Sequence, residues 1–173
     1  MERIMIIGCG GAGKSTLARK LGEILKLPVV HLDQIYWSPG NWEHLTKEEF
    51  DTRLSAELEK SQWIMDGNFS RTLPERIDTC DTVIYLDFNR MTCIMGVLKR
   101  VFTGLGKVRP DMGEGCPERF DWRFLVWVWN FNKKNRAKTY QLLAEAQHAK
   151  VHILKNRKQV NQFLSNISNE YRR

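Results

Sequence analysis

Residues 8–16 constrain this chain more than any others: Gly8-Cys9-Gly10-Gly11-Ala12-Gly13-Lys14-Ser15-Thr16. They satisfy the phosphate-binding loop pattern G-x-x-x-x-G-K-[ST] at every fixed position. Glycines leave room for backbone N–H groups to curl around a β-phosphate. Lys14 offers a mobile point charge to the β and γ oxygens. Ser15 offers a hydroxyl to Mg²⁺, a hard cation that prefers oxygen ligands. Gly8, Gly10, Gly11, Ala12, Gly13, Lys14, Ser15 and Thr16 are thus the expected cradle for ATP. A helix opening near Lys14 aims its positive dipole end at the same phosphates. The flanks fit: Arg3-Ile4-Met5-Ile6-Ile7 reads as a buried strand, and Leu17, Leu21, Ile24 and Leu25 recur at helical spacing.

A length of 173 residues predicts one domain over 1–173, large enough to bury a core without staples. Cys9, Cys80, Cys93 and Cys116 form no C-x-x-C, so neither a disulfide framework nor zinc is expected. His148 and His152 read as surface or core-edge residues, and Cys9 as a bystander in the loop. The N-terminus enters a strand at once, and the longest apolar run, Phe124 to Trp129, is too short to span a bilayer. A cytoplasmic protein without a membrane partner is the expectation. The formal charge of +7 fits a cleft handling several phosphates or a nucleic-acid surface. Its cations are dispersed: Arg100, Lys107, Arg109, Arg119 and Arg123 in the middle, then Lys133, Lys134, Arg136 and Lys138, then Lys155, Arg157, Lys158, Arg172 and Arg173.

Strand-like runs alternate with helical periods, which predicts a parallel sheet covered by helices. Pro28 to Leu32 reads as a second strand ending at Asp33, followed by a turn-rich aromatic loop from Tyr36 to Trp42. Thr46 to Ser61 reads as a helix, opened by the capping-box pair Thr46 and Glu49. Trp63 to Met65 is a third strand ending at Asp66-Gly67, and Thr82 to Leu86 a fourth ending at Asp87. Met91 to Thr103 is a helix, and the glycine-rich stretch Gly104 to Pro117 a mobile loop. Trp122, Val126, Trp129, Ala137, Tyr140 and Ala144 follow helical spacing, although Phe124 to Trp129 also fits a strand. Val151 to Leu154 is a fifth strand and Val160 to Ile167 a terminal helix.

Ligands gather at the carboxyl ends of the strands in such a sheet, so Asp33, Asp66 and Asp87 are expected to face one crevice. A carboxylate there holds the water shell of Mg²⁺ or orients an attacking hydroxyl.

With these patches in view the chain resembles the P-loop nucleoside and nucleotide kinases, the adenylate kinase-like group. The patches are the phosphate loop, Asp66-Gly67-Asn68-Phe69-Ser70-Arg71-Thr72, and Val83-Ile84-Tyr85-Leu86-Asp87 followed by a helix and an arginine-bearing lid. Within the group, His31-Leu32-Asp33, Tyr36-Trp37, the start of the Asp66 segment and the Trp-rich helix with Lys133-Lys134 and Arg136 most resemble the bacterial topology modulation proteins. The resemblance implies a three-layer α/β/α P-loop NTPase fold with a five-stranded parallel sheet, an acceptor-binding helical segment at about 33–61 and a mobile lid at about 104–120. It implies that Asp66 holds Mg²⁺ with Ser15, that Arg71 grips an acceptor phosphate and that Asp33 binds an acceptor hydroxyl. Arg100 becomes a lid clamp, Arg109, Arg119 and Arg123 further lid candidates, and Asn156 and Arg157 packing for the adenine. The function expected is ATP-dependent phosphoryl transfer to a small acceptor, a nucleoside or a nucleotide. The alternative is a nucleic-acid-associated ATP-binding protein that influences DNA topology. Asp33 suits a hydroxyl acceptor and Arg71 a phosphate acceptor, so the residues leave that choice open, as they do the oligomeric state.

Overall fold

The computed structural model describes residues 1–37 and 42–171. The loop residues 38–41 and the terminal Arg172 and Arg173 lie outside the described residues.

The phosphate loop joins β1 (Arg3–Gly8) to α1 (Lys14–Leu25). β1 is the middle strand of a five-stranded sheet in the order β2-β3-β1-β4-β5, every pairing parallel. The other strands are β2 (Val29–His31), β3 (Trp63–Asp66), β4 (Thr82–Leu86) and β5 (Lys150–Leu154). Alternation along β1 sends its two faces to different cores. Ile4 and Ile6 pack with α1, α5 (Arg90–Gly104), the first half of α6 (Trp122–Glu145) and α7 (Arg157–Tyr171). Met5 and Ile7 pack with α2 (Leu32–Tyr36), α3 (Lys47–Leu58), α4 (Leu73–Thr79) and the end of α6. Helices on both faces are what a sheet buried on both sides requires. The expected three-layer fold with five parallel strands is the observed one.

Local chemistry sets the helix starts. Thr46 accepts from the Glu49 amide and Glu49 returns the bond to the Thr46 amide, the reciprocal box read in the sequence. Asn89 caps α5 and Asp121 caps α6 through their side chains. Phe124 to Trp129 is helical, with Leu125, Val128 and Phe131 facing the core at helical spacing.

Two elements differ from expectation. β2 stops at His31, and Asp33 lies in the first turn of α2 rather than at a strand end. Leu32 is fully buried at the start of α2, and a single buried apolar residue reads alike in a strand or a helix. The second difference is α4, preceded by a single 3-10 turn at Ser70–Thr72. Pro74 near its start was the available signal.

α4 carries Arg76, a fully buried guanidinium. It donates to the carbonyl oxygens of Gly67 (2.9 Å), Asn68, Phe69 (3.2 Å) and Thr72 (3.4 Å). Burial pushes its pKa down to about 10, still charged at neutral pH. Arg76→Met strands those carbonyls in the core and is expected to destabilise the fold by about 3 kcal/mol or more. Urea unfolding checks this; a midpoint within error of the parent would show that the clamp is dispensable.

Candidate active site

Parallel pairing puts Asp66 opposite Ile6, at the carboxyl end of β1. The phosphate loop leaves β1 two residues later. Its backbone uses glycine where it must: Gly13 has φ +91° at the entrance to α1, and Gly11 has φ +77° with no room for a Cβ, which would meet the Cys93 carbonyl oxygen at 2.2 Å. The approach to α5 is mutual, since a Cβ on Gly96 of that helix would meet the Gly11 carbonyl oxygen at 2.2 Å.

A cavity of about 540 Å³ opens over the loop. Gly10, Gly11, Gly13, Lys14, Ser15 and Thr16 line it, with Asp33, Asp66, Arg100, Arg109 and Arg157. Its size suits a small-molecule site. Ser15 Oγ donates to Asp66 Oδ2 at 2.7 Å, and His31 Nδ1 pairs with the other oxygen, Oδ1. Asp66 is buried and held from two sides. Lys14 Nζ donates to the Cys9 carbonyl at 3.2 Å, folded back on its own loop. Arg157 donates to the Ala12 carbonyl at 2.7 Å while its guanidinium lies 5.0 Å from the Phe88 ring centroid.

Asp33 stands beside Lys14 and Asp66. Burial raises its pKa above the ordinary carboxylate value, and the neighbouring charges of Asp66 and Asp111 add to this while Lys14 and Arg109 oppose it. Arg109 donates to Asp111 at 2.7 Å, and its Nε and the Nε of Arg100 lie 2.9 and 3.0 Å from one Glu118 oxygen as ion pairs. Glu118 is thus the buried counter-ion of both arginines. The segment between α5 and α6 is tied to itself by bridges between Leu105 and Glu118 and between Val108 and Pro117. It also touches the segment after β2: Gln34 donates to the Pro110 carbonyl, and Arg119 lies 4.5 Å over the Trp42 ring.

Several residues singled out in the sequence are elsewhere. Arg71 does not line the cavity: both its terminal nitrogens bond the Asp51 carboxylate, at 2.5 and 2.8 Å, because the 3-10 turn swings it toward α3. Arg71→Ala is expected to change the acceptor KM less than about threefold, as for a surface ion pair; a tenfold rise would return Arg71 to the site. Asp87 does not face the crevice with Asp33 and Asp66, since Arg136 (2.7 Å) and Tyr140 (2.8 Å) bind its carboxylate from α6. Asn156 accepts from the Gln159 amide, so it caps α7 rather than facing the cavity. Gly8 and Ala12 are buried behind the loop, the Gly8 amide donating to Asn68 Oδ1 at 3.0 Å. Arg119 and Arg123 are exposed outside the cavity lining. Cys9 is fully buried and not accessible.

Sequence reasoning missed His31, Phe69, Gly96, Lys99 and Asp111. A histidine one residue before an apolar–Asp pair reads as strand polarity, and nothing local ties it to Asp66, 35 residues away. The glycine at 96 inside a helical period was the one legible signal, a mark of close backbone approach.

No protein-family model matches the sequence, and no curated protein matches it. Solved structures do. Shikimate kinase from Acinetobacter baumannii, solved with shikimate, superposes with a TM-score of 0.58 at 18% identity, covering 96% of this chain and 90% of its own. Shikimate kinase from Bacteroides thetaiotaomicron gives 0.55 at 15% identity, covering 99% of each chain. A protein provisionally described as a kinase, from Chloroflexus aurantiacus, gives 0.53 at 17% identity, again over 99% of each. The fold is that of the shikimate kinase-like P-loop proteins. Among the described residues, no helix is long and apolar enough to cross a membrane.

Proposed function

We propose that this chain is an ATP-dependent phosphotransferase that moves the γ-phosphoryl group to a hydroxyl of a small acceptor. One observation carries the reading: the Asp33 carboxylate, its affinity for a proton raised, shares a cavity with Lys14 and the Ser15–Asp66 pair of a phosphate loop. In this reading residues 1–173 form one unit, with 33–61 as acceptor segment and 104–120 as lid.

The donor set fits Mg²⁺. Ser15 Oγ and Asp66 Oδ2 are hard oxygens already 2.7 Å apart, with His31 fixing the other carboxylate oxygen. When bound, Mg²⁺ neutralises charge on the β and γ oxygens. Lys14 exchanges the Cys9 carbonyl for the phosphates. The loop amides and the N-terminus of α1 hold the β-phosphate. Asp33 accepts the hydroxyl proton as the acceptor oxygen attacks phosphorus. Arg100 and Arg109 line the same cavity with Glu118 as counter-ion, and the lid excludes water. Arg157, stacked on Phe88, supports the loop from the side where the base would lie.

The kinase fold of the solved neighbours supports phosphoryl transfer and leaves the acceptor open, shikimate included. ADP formation with ATP and Mg²⁺ against a panel of nucleosides, nucleotides and hydroxylated metabolites tests it. Stimulation by an acceptor supports the reading. A flat panel with tight ATP binding moves the chain to a nucleotide-binding switch. The resemblance to topology modulation proteins belongs to that second reading, which Trp122 and Trp129 favour, being exposed beside Arg123, Lys133 and Lys134. DNA binding that weakens steeply with salt and survives Lys14→Ala would support it.

A further inference from the structure

Among the described residues eleven large hydrophobic side chains stand exposed, and ten of them fall between Met91 and Trp129. The exposed apolar surface is therefore concentrated in one stretch rather than scattered singly. On α5, Met91, Met95 and Phe102 share one face, and Leu105 follows at the end of the helix. On α6, Trp122, Val126 and Trp129 recur at helical spacing and are all exposed. The two helices pack on each other, and the Arg90 guanidinium lies 4.7 Å from the Trp129 ring centroid, so the α6 stripe meets the start of α5. Phe102 is 85% and Trp122 68% exposed, roughly 300 Å² between them. Those two alone reach the low end of the largest apolar patch on an ordinary monomer, about 300–600 Å². The other five members of the stripes come on top of them.

The charges around these stripes have nearly one sign. α5 carries Arg90, Lys99 and Arg100 and no carboxylate, and α6 carries no carboxylate before Glu145. From residue 90 to residue 129 the exposed charged side chains are Arg90, Lys99, Lys107, Arg119 and Arg123 against Glu114 alone. A second copy of this chain seated here would bring like charges together. A single-stranded nucleic acid answers the cations and stacks on Trp122 and Trp129, but Met91, Met95, Leu105 and Val126 offer a base no ring. An anionic bilayer answers both the charge and the stripes. Its acyl chains take the aliphatic side chains and Phe102, its headgroup level suits tryptophan, and its anionic heads attract arginine and lysine.

We propose that the exposed face of α5 and α6, with Phe102 and Trp122 as its largest apolar members, docks this chain on an anionic membrane surface. The expectation of no membrane partner rested on the lack of a spanning run, and a chain that lies on a bilayer needs none. Docking is independent of the phosphotransfer reading, and either stands if the other falls.

The test sediments the whole chain with vesicles of phosphatidylcholine alone and of phosphatidylcholine mixed with phosphatidylglycerol. Binding to the mixed vesicles is expected to exceed binding to the neutral ones by about tenfold or more. Met95→Ser combined with Phe102→Ser keeps every charge and removes no buried side chain, so its melting temperature is expected to stay near the parent's. Its binding to the mixed vesicles is expected to fall about tenfold or more. Lys107→Gln combined with Arg123→Gln is expected to weaken binding about 25-fold, at about fivefold for each cation. Mixed vesicles with bromine on the acyl chains are expected to quench the tryptophan fluorescence of the parent, and that of Trp122→Ser less. Vesicle binding that the serine pair leaves unchanged overturns the inference, because charge alone would then hold the chain. Equal binding to neutral and mixed vesicles overturns the anionic assignment. Absence of binding to the mixed vesicles overturns the proposal outright. A dimer in light scattering that the serine pair dissociates would then give the face to a second copy. Salt-dependent binding of oligo(dT) that Trp122→Ser loses would give it to nucleic acid.

Discussion

Lys14→Ala is expected to abolish ATP-dependent turnover while the protein stays folded. Lys14 opens α1 and its side chain makes one bond, to the Cys9 carbonyl, so its removal leaves no buried partner stranded. The core residues of the same helix, Leu17, Ala18 and Leu21, are untouched, and alanine is a good helix former. What disappears is the positive charge that meets the charge developing on the transferring phosphoryl group. Loss of such a group lowers turnover by on the order of 10³-fold. Steady-state ADP formation measures the loss, and an unchanged melting temperature shows that it is not unfolding. Parent rates in the variant would remove the phosphate loop from the chemistry.

Asp33→Asn is expected to lower kcat by about 10²–10⁴-fold, the usual contribution of a general base. The pH profile separates this from simple loss of acceptor binding. Burial raises the Asp33 pKa, so the carboxylate becomes available only above the ordinary range. Activity of the parent therefore rises with pH along a limb displaced upward from the normal carboxylate value, and the variant lacks that limb. The stability linkage has the opposite sense. The folded chain holds the Asp33 proton more tightly than the unfolded chain does. Its contribution to stability is complete below the unfolded value and is lost as pH rises through the raised folded value. A variant with the parent's acid limb would assign the proton to another group.

The two ends of the site differ in how far they could be read. The phosphate end is written in consecutive residues, because backbone amides, a lysine and a hydroxyl act there from one loop. The rest of the cavity, the proposed acceptor side, is assembled from α2, the turn after β3 and the segment between α5 and α6, whose members stand far apart in the chain. Asp33, Asp66 and Arg109 were found as types at suggestive places, whereas His31, Phe69, Asp111 and Glu118 carry no local signal. Arg71 shows the limit most clearly. Motif alignment placed it on an acceptor phosphate, but the turn at Ser70–Thr72 and the Asp51 carboxylate on α3 take it outward. Asp87 fails for a similar reason: α6 supplies Arg136 and Tyr140 to a carboxylate that strand order alone would leave free.

Sequence by itself determined the layer architecture, the parallel sheet and the phosphate loop. Each rests on short-range periodicity or on a run of neighbouring residues, and the physics acts over a few positions. Tertiary structure alone decided which carboxylates share the cavity, which arginines are already spent on Glu118, Asp111 and Asp51, and how Arg76 holds the carbonyls of Gly67 and Phe69. Those outcomes depend on which charges the folded chain brings together, and a charge's partner, not its identity, sets what it is free to bind.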